Sequence, residues 1–209
     1  MICLFLDTSS ENLYVSLIKD NKLIYNKILE TKNDHSSFLL PSIDEAFKTN
    51  NIDFKDLDRI IVGIGPGSFT GTRISITAAK TYGYTMNIPT FGISSLEIMI
   101  YDNDGYDYYV PVIEDKNNHV YYSIFDKNKR RVLEDTLSSI DELYDKLDNY
   151  NGRILIISHN GIKYEKYDSI KESINPIKIN ENILLNNKEI NPHLLKPNYI
   201  KKIEAESKL

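Results

Sequence analysis

The glycine-rich segment from Gly63 to Ile74 has the residue types and spacing that come nearest to a ligand-binding motif. It reads Gly-Ile-Gly-Pro-Gly-Ser-Phe-Thr-Gly-Thr-Arg-Ile and leads from an apolar, strand-like run into helical spacing. Backbone N–H groups at such a junction often bind phosphate. No Gly-Lys-Ser/Thr follows, and Gly65, Gly67 and Gly71 are not spaced as in a dinucleotide fingerprint. We therefore favour a structural role in a sharp turn with close helix packing, and keep Gly65 and Gly67 as weak nucleotide-binding candidates.

Asp7 is the carboxylate best placed for catalysis, because it follows the first apolar run, Ile2–Leu6. Some sugar kinases hold Mg²⁺ and phosphate beside a carboxylate that ends their first strand. Here Thr8-Ser9-Ser10 comes next, with no glycine to admit phosphate closely. We therefore favour a strand-end hydrogen-bonding role for Asp7, in which its change to Asn leaves folding nearly intact.

The four histidines do not form a metal motif. They show neither HxxxH nor HExxH spacing, so no two of them share a metal on one helix turn: His35, His119, His159 and His193. A Ser/His/Asp or Cys/His arrangement stays open by sequence order, but no local motif indicates a nucleophile. We expect no catalytic residue, no metal ligand and no cofactor of the chain's own.

Charge and composition bear on partners and compartment. The chain of 209 residues has a net charge of −5, whereas a protein that holds tRNA alone usually presents a basic face. The densest basic run, Lys127–Arg131, is typical of a solvated hairpin turn between two strands. The only cysteine, Cys3, lies in an apolar run and cannot form an internal disulfide. We expect a small buried side chain, in a protein of a reducing compartment. Neither a signal peptide nor a membrane-spanning run is evident, so we expect a cytoplasmic chain.

The apolar pattern of the first hundred residues predicts the order βββαβαβα. The predicted strands are Ile2–Leu6, Leu13–Ile18, Leu23–Ile28, Arg59–Ile64 and Ile88–Ile93, and the predicted helices are Phe38–Phe47, Thr70–Met86 and Ser94–Tyr101.

The second half repeats this order in a reduced form. Its predicted strands are Tyr108–Ile113, Val120–Phe125, Arg131–Asp135, Arg153–Ser158 and Pro176–Ile179, and its predicted helices are Ser138–Leu147 and Tyr164–Ser173. Two such ribonuclease-H-like halves make the actin-like α/β fold. We predict an N-terminal half of residues 1–101, a reduced C-terminal half of residues 102–190, and a tail of residues 191–209 that returns to the first half.

Two helices of the first half have features that indicate a docking surface. On the second, Ser75, Ala79 and Gly83 recur every four residues and form a ridge of small residues that permits close helix approach. On the first, Phe38 projects away from its apolar neighbours. The residues expected to face the core are Leu39, Leu40, Ile43, Ala46 and Phe47 on the first helix, and Ile74, Ala78, Tyr82 and Met86 on the second. We expect Ala79→Trp to weaken association and leave the fold intact; a broader core is the alternative.

The run Ile64–Ile74 resembles the signature of the TsaB (YeaZ) family. The similarity extends to Asp7-Thr8-Ser9, to His35–Pro41, to Gly92–Glu97 and to Pro197–Lys201. It covers the first half of the chain strongly and the second half weakly.

This resemblance implies an actin-like fold that has lost its own active site. Such a protein is a non-catalytic subunit needed to make threonylcarbamoyladenosine on tRNA. It binds the TsaD transferase, which holds a metal and modifies the adenosine beside the anticodon, and the TsaE ATPase joins that pair. ATP, metal and tRNA are then expected on the complex rather than on this chain alone.

The family's partner surface is formed by the first two helices, and a second copy of the chain is another candidate for it. We assign to this surface Ser36, Phe38, Leu39, Ile43, Arg73, Ser75, Ile76, Ala79, Lys80 and Gly83. One departure concerns Glu114-Asp115-Lys116, where many relatives have Asp-Ala-Arg, so no role of that motif is carried over.

Two other functions stay open. A self-sufficient small-molecule kinase or ATPase would use Asp7 and the glycine-rich loop, whereas a metallopeptidase would need the missing HxxxH. A homodimeric structural protein would use the helix surface on itself. ATP turnover by the lone chain supports an enzyme, and co-purification with a TsaD-like protein supports a binding subunit.

Overall fold

The computed structural model describes residues 1–31, 34–161, 163–186 and 189–200 of the chain. These residues form two compact units. Unit 1 comprises Met1–Ser95 and Asn175–Pro197, and unit 2 comprises Leu96–Ile174 and, of the described residues at the end, 198–200. Each unit contains one five-stranded mixed sheet. No helix in the described ranges has the length and apolarity needed to cross a membrane.

The sheet of unit 1 has the spatial order β3-β2-β1-β4-β5. Its strands are β1 (Ile2–Asp7), β2 (Asn12–Lys19), β3 (Lys22–Glu30), β4 (Arg59–Gly63) and β5 (Thr90–Ile93). Two helices, α1 (His35–Thr49) and α2 (Phe69–Thr85), pack on the face of the sheet that presents Leu4, Leu6 and Val15. Because β1 pairs in parallel with β4, the carboxyl ends of both strands lie at the same edge of the sheet.

The sheet of unit 2 repeats that order as β8-β7-β6-β9-β10. Its strands are β6 (Tyr108–Glu114), β7 (His119–Asp126), β8 (Arg131–Ser139), β9 (Ile154–Ser158) and β10 (Asp168–Lys171). Helix α3 (Ile140–Leu147) buries Leu143 and Leu147 in the core of this unit. The predicted α/β fold, with three consecutive neighbouring strands opening each half, is confirmed.

Two predictions near the end of the second half are wrong. Tyr164–Ser173, predicted as a helix, contains strand β10, which pairs in parallel with β9. Pro176–Ile179, predicted as a strand, begins helix α4 (Pro176–Asn186).

The start of α4 has an identifiable cause. Proline is favoured at the first position of a helix, and the Asn175 side chain accepts a hydrogen bond from the Lys178 N–H at 3.2 Å, as an N-cap does. Ile179 and Ile183, four residues apart, are both fully buried. These helix-start signals outweigh the strand preference of the isoleucines.

The chain returns to unit 1 at Asn175, earlier than the predicted tail. Helix α4 contacts β2 and β3, Ile190 bridges to Thr90 at the β5 edge, and Leu195 joins the core of unit 1. The predicted helix Ser94–Tyr101 forms only a short 3₁₀ turn, Glu97–Ile100. Residues 201–209 of the predicted tail lie outside the described residues.

Ser139 begins α3 with a capping box. Its hydroxyl accepts the Glu142 N–H at 3.2 Å, and the Glu142 carboxylate accepts the Ser139 N–H at 3.0 Å. We predict that Ser139→Ala lowers the free energy of unfolding by about 1 kcal/mol, because the Glu142 N–H loses its acceptor. Urea denaturation measures this change. The exposed-turn control Lys127→Ala should stay within about 0.5 kcal/mol, and an equally small effect for Ser139→Ala would contradict the prediction.

Candidate functional site

Asp7 lies at the carboxyl end of β1 with a side chain that solvent barely reaches, at 1% exposure. Its Oδ1 accepts the Ser9 N–H at 2.6 Å, and its Oδ2 accepts the Ser95 hydroxyl at 2.7 Å. The Ser95 hydroxyl oxygen accepts the Gly65 N–H at 3.0 Å, and the Ser95 N–H donates to the Gly65 carbonyl at 2.8 Å. The carboxylate therefore connects the end of β1 to the glycine-rich loop.

The two residues after Asp7 bind the start of α2. Ser68 donates its N–H to the Ser9 carbonyl at 2.6 Å. The Thr8 hydroxyl donates to the Gly71 carbonyl at 2.7 Å and accepts the Ser75 N–H at 3.3 Å. The first two turns of α2 are thus bonded directly to the end of β1. We call Asp7–Ser9, the loop Gly63–Gly71 and Ser95 the Asp7 network.

The glycines of this loop are required because other parts of the chain occupy the space of a side chain. An added Cβ would overlap the Asp7 carboxylate at Gly63, and backbone carbonyl oxygens of the 8–9 segment at Gly67 and Gly71. Gly67 also has φ +148°, which L side chains rarely adopt. The protein's own backbone therefore packs directly against the loop on the side that faces Asp7.

This geometry supports the structural interpretation of Asp7, Gly65 and Gly67. Both Asp7 carboxylate oxygens accept hydrogen bonds from the chain itself. A phosphate or metal at this carboxylate would have to displace the Ser9 N–H and the Ser95 hydroxyl, leaving buried groups unsatisfied.

The other side chains that could take part in catalysis or metal binding are dispersed. His35 and His159 are buried, whereas His119 and His193 are exposed, and His159 Nδ1 lies 2.6 Å from the Glu172 carboxylate. Burial raises the pKa of the Cys3 thiol to about 12, so this thiol is protonated at neutral pH. Within the described ranges, no three His, Cys, Asp or Glu side chains are arranged to hold a metal.

The basic run Lys127–Arg131 forms the predicted hairpin turn, between β7 and β8. Lys129 Nζ lies 3.1 Å from the centroid of the Tyr109 ring, and Arg131 pairs with Glu97 at 3.0 Å and with Asp135. Two of its four cations are therefore engaged inside unit 2, which argues against a phosphate-binding patch at this turn.

An apolar groove of about 550 Å³ lies between α1 and α2. It is lined by Ser36, Leu39, Leu40, Thr70, Arg73, Ile74, Thr77, Ala78, Thr81 and Tyr82. Leu40, predicted to face the core, is 54% exposed here, and the Arg73 guanidinium lies 3.9 Å from the centroid of the exposed Phe69 ring. The groove combines apolar walls with threonine hydroxyls and one cation, a composition suited to protein contact.

The predicted partner surface is corrected by burial. Among its members, Ser36, Phe38 and Arg73 are exposed and Lys80 is half-buried, but the following lie in the interior of unit 1: Leu39, Ile43, Ser75, Ile76, Ala79 and Gly83. Of these six, only Leu39 also lines the groove. The binding role of the exposed members stays a prediction.

The small-residue ridge of α2 was expected to be exposed, but it packs against the chain itself, which supports the alternative of a broader core. At Gly83 an added Cβ would overlap the Thr90 hydroxyl and meet Pro192 at 3.1 Å, and Ala79 is fully buried. Ile74 and Tyr82, predicted to face the core, pack against it and also line the groove, whereas Met86, predicted to do the same, is 37% exposed. Ala79→Trp is therefore expected to disrupt the core rather than an exposed interface. The spacing of Gly71, Ser75, Ala79 and Gly83 is also typical of a helix that lies close on a sheet. On that interpretation the small residues face the sheet, and the groove lies on another side of α2.

Comparison with known proteins gives consistent similarities. A family model described as TsaD, tRNA N6-adenosine threonylcarbamoyltransferase, matches residues 24–205. The tRNA threonylcarbamoyladenosine biosynthesis protein TsaB of Bacillus subtilis is 31% identical over 60% of this chain and 55% of its own length. The protein of the same name from Buchnera aphidicola subsp. Schizaphis graminum is 39% identical over 47% of this chain and 46% of its own. The chain thus spans about half the length of these two relatives.

Longer alignments exist at lower identity. TsaB of Buchnera aphidicola subsp. Acyrthosiphon pisum is 26% identical over 93% of this chain and 88% of its own length. Among solved structures, a Pseudomonas aeruginosa protein described as uncharacterized, with similarity to peptidase YEAZ, matches with TM-score 0.82 at 17% identity, over 96% of this chain and 99% of its own. YeaZ from Pseudomonas aeruginosa matches with TM-score 0.76 at 17% identity, over 95% and 99%. At this identity the two structures confirm the fold.

We predict that Gly71→Ala destabilises unit 1 by about 1–3 kcal/mol, because the added methyl group meets the Thr8 carbonyl oxygen. Thermal unfolding followed by circular dichroism measures the loss. The matched control is Thr70→Ala, an exposed position one residue earlier, which should change stability by no more than about 0.5 kcal/mol. Equal stability of the two variants would show that α2 does not lie against the end of β1 as described.

Asp7→Asn is expected to destabilise the fold, contrary to the expectation from sequence. The introduced amide offers only one acceptor oxygen, so either the Ser9 N–H or the Ser95 hydroxyl loses its partner at a cost of about 1–3 kcal/mol. Chemical denaturation of Asp7→Asn, Ser95→Ala and the double variant measures the coupling between them. We predict that the double variant is less destabilised than the sum of the single variants; strict additivity would argue against the Asp7–Ser95 bond.

Proposed function

The chain belongs to the TsaB (YeaZ) family, and on that premise we propose that it is a non-catalytic subunit in the synthesis of threonylcarbamoyladenosine on tRNA. In this role it binds and supports a TsaD-like transferase through the groove between α1 and α2. The observation that carries the proposal is the groove itself, an accessible apolar surface beside an Asp7 network that is filled by the chain's own groups.

The non-catalytic part of the proposal rests on the Asp7 network. In an actin-like enzyme, the end of β1 and the following glycine-rich loop would be open to phosphate. Here the same positions are joined to each other by hydrogen bonds from Ser9, Ser68 and Ser95. The residues that an enzyme would use for substrate thus hold the scaffold, and ATP and metal are assigned to the partner subunits.

The binding part of the proposal rests on the groove. Leu40 at 54% exposure and Phe38 at 41% present apolar surface on α1, and α2 contributes Ile74 and Tyr82 to the groove. Burial of such apolar area against a partner is favourable by about 25 cal/mol per Å² before the costs of association. Arg73 beside the groove adds a site for a partner carboxylate, which gives orientation and specificity.

The tRNA is assigned to the complex rather than to this chain. The net charge is −5, and the densest basic run is partly engaged by Tyr109, Glu97 and Asp135. A TsaE-like ATPase completes the proposed assembly. A second copy of this chain is the competing occupant of the groove, because an apolar surface of this kind also serves self-association.

Leu40→Asp tests the proposal. A charge on an exposed, groove-lining side chain should weaken binding to the TsaD-like subunit of the same organism by about 30-fold, since a central interface residue is worth about 2 kcal/mol. Isothermal titration calorimetry gives the affinity, and sedimentation of the chain alone shows whether the same change disrupts a homodimer.

Leu185→Asp is the matched control, because Leu185 on α4 is 81% exposed and lies outside the groove. It should bind like the parent. If Leu40→Asp binds with the affinity of the parent, the interface lies elsewhere. Steady ATP turnover by the chain alone would favour the competing hypothesis of a self-sufficient kinase or ATPase.

A further inference from the structure

His35 is a buried titratable group next to the groove, and neither the fold nor the docking proposal has yet given it a role. It is the first residue of α1, its side chain is 1% exposed, and its neighbour in the chain, Ser36, lines the groove. Its Nδ1 lies 2.9 Å from the Thr31 hydroxyl, while its Nε2 is enclosed and makes no hydrogen bond of good geometry.

The His35 ring is one of the groups that hold the start of α1, because the N-cap residue does not supply a side-chain cap. Asp34 occupies the N-cap position; its carboxylate accepts the Ser36 hydroxyl at 3.4 Å but accepts no backbone N–H of the helix. The Asp34 N–H donates to the Thr31 carbonyl at 3.0 Å. Thr31 is itself tied to the β1–β2 connection, since its N–H donates to the Glu11 carbonyl at 3.1 Å and its hydroxyl to the same oxygen at 3.3 Å. The contact between His35 and Thr31 therefore anchors the first turn of α1 to the segment that follows the Asp7 network.

We propose that His35 is the positioning residue of the docking groove, and that it holds the first turn of α1 in the docking conformation only while its ring is neutral. This inference rests on the proposed function of the groove. The residue touches no partner itself; it acts through Ser36, Leu39 and Leu40, the side chains that α1 contributes to the groove.

The surroundings of the ring favour its neutral form. A charged imidazolium at this place would be buried, and it would lie at the positive end of the α1 dipole. Burial is the largest influence and lowers the pKa of His35; the Ser10 backbone and the carboxylates of Asp7 and Asp34 oppose this without reversing it. Asp7 is already occupied by Ser9 and Ser95.

The sign of the pH effect follows. Folding lowers the pKa of His35 from its ordinary value of 6.5. Above pH 6.5 the folded and released forms both hold the ring neutral, and the stability of the fold is at its full value. As pH falls below 6.5, the released form binds a proton more readily and the stability of the fold declines. If the first turn of α1 is released, His35 recovers its ordinary pKa and binds a proton. At pH 5.5, one unit lower, this shifts the equilibrium toward the released form by up to about ten-fold. Partner affinity decreases with the fraction of chains in the docking conformation, by up to the same factor.

The experiment is calorimetric titration of the TsaD-like subunit into the parent, His35→Asn and His35→Ala at pH 7.5 and 5.5. The asparagine amide reaches the position of Nδ1 and can keep the Thr31 hydrogen bond, but it does not titrate. We expect the parent to lose two- to ten-fold in affinity at pH 5.5 relative to pH 7.5, His35→Asn to lose less than two-fold, and His35→Ala to bind weakly at both values.

The control is His119→Asn, at an exposed histidine of β7, which should keep the parental pH profile. Because every variant meets the same partner, titration of the partner's own groups cancels in the comparison. The Phe38–Leu40 amides are the first in α1 whose N–H groups have acceptors within the helix. Their hydrogen exchange in the chain alone should accelerate at low pH, relative to the intrinsic rate, in the parent and not in His35→Asn.

The outcomes separate the two proposals. If the parent does not bind at pH 7.5, the docking function fails, and the inference about His35 fails with it. If the parent binds but His35→Asn shows the same pH profile, or if the parent profile is flat, the docking function stands and the role of His35 is overturned.

Discussion

The buried carboxylate of Asp7 is the constraint on which the rest of unit 1 depends. A charged group at 1% exposure is stable only if the chain supplies donors to both of its oxygens, and here the donors come from Ser9 and Ser95. Those two residues in turn hold Ser68 and Gly65 of the glycine-rich loop. One acceptor group thus places the ends of β1, β4 and β5 and the start of α2 in a single arrangement.

The groove is a consequence of this arrangement. Because Thr8 and Ser9 bond the first turns of α2, the small residues of that helix lie against the sheet and its larger residues line the groove beside α1. Helix α1 is anchored to the same region through Thr31 and His35. The motifs that resemble the TsaB family therefore meet where the two helices pack on the sheet, and their polar groups bond to the chain itself.

Much of the fold could be predicted from sequence because its signals are local. Apolar runs separated by polar turns located the strands of both halves, apart from the last strand of unit 2. The predicted helix Ser138–Leu147 placed the start of α3 within two residues. The failure at α4 overlooked a local signal, Asn175 before Pro176. The others arose where the deciding interaction is not local. Ser95 lies 88 residues from Asp7, so their bond has no signature in either segment. The small residues of α2 fit two environments, an exposed ridge or a helix lying close on a sheet, and only the position of Thr8, Thr90 and Pro192 decides between them.

Native-state hydrogen exchange of the Ser9, Ser68 and Ser75 amides tests the Asp7 network most directly. Each of these N–H groups donates to a member of the network, so we predict that all three exchange only through opening of unit 1, with free energies close to that of its most protected core strands. Addition of Mg²⁺-ATP should leave these rates unchanged. Exchange near the rate of an unprotected loop, or marked protection on adding Mg²⁺-ATP, would show that the network is an open ligand site and contradict the account.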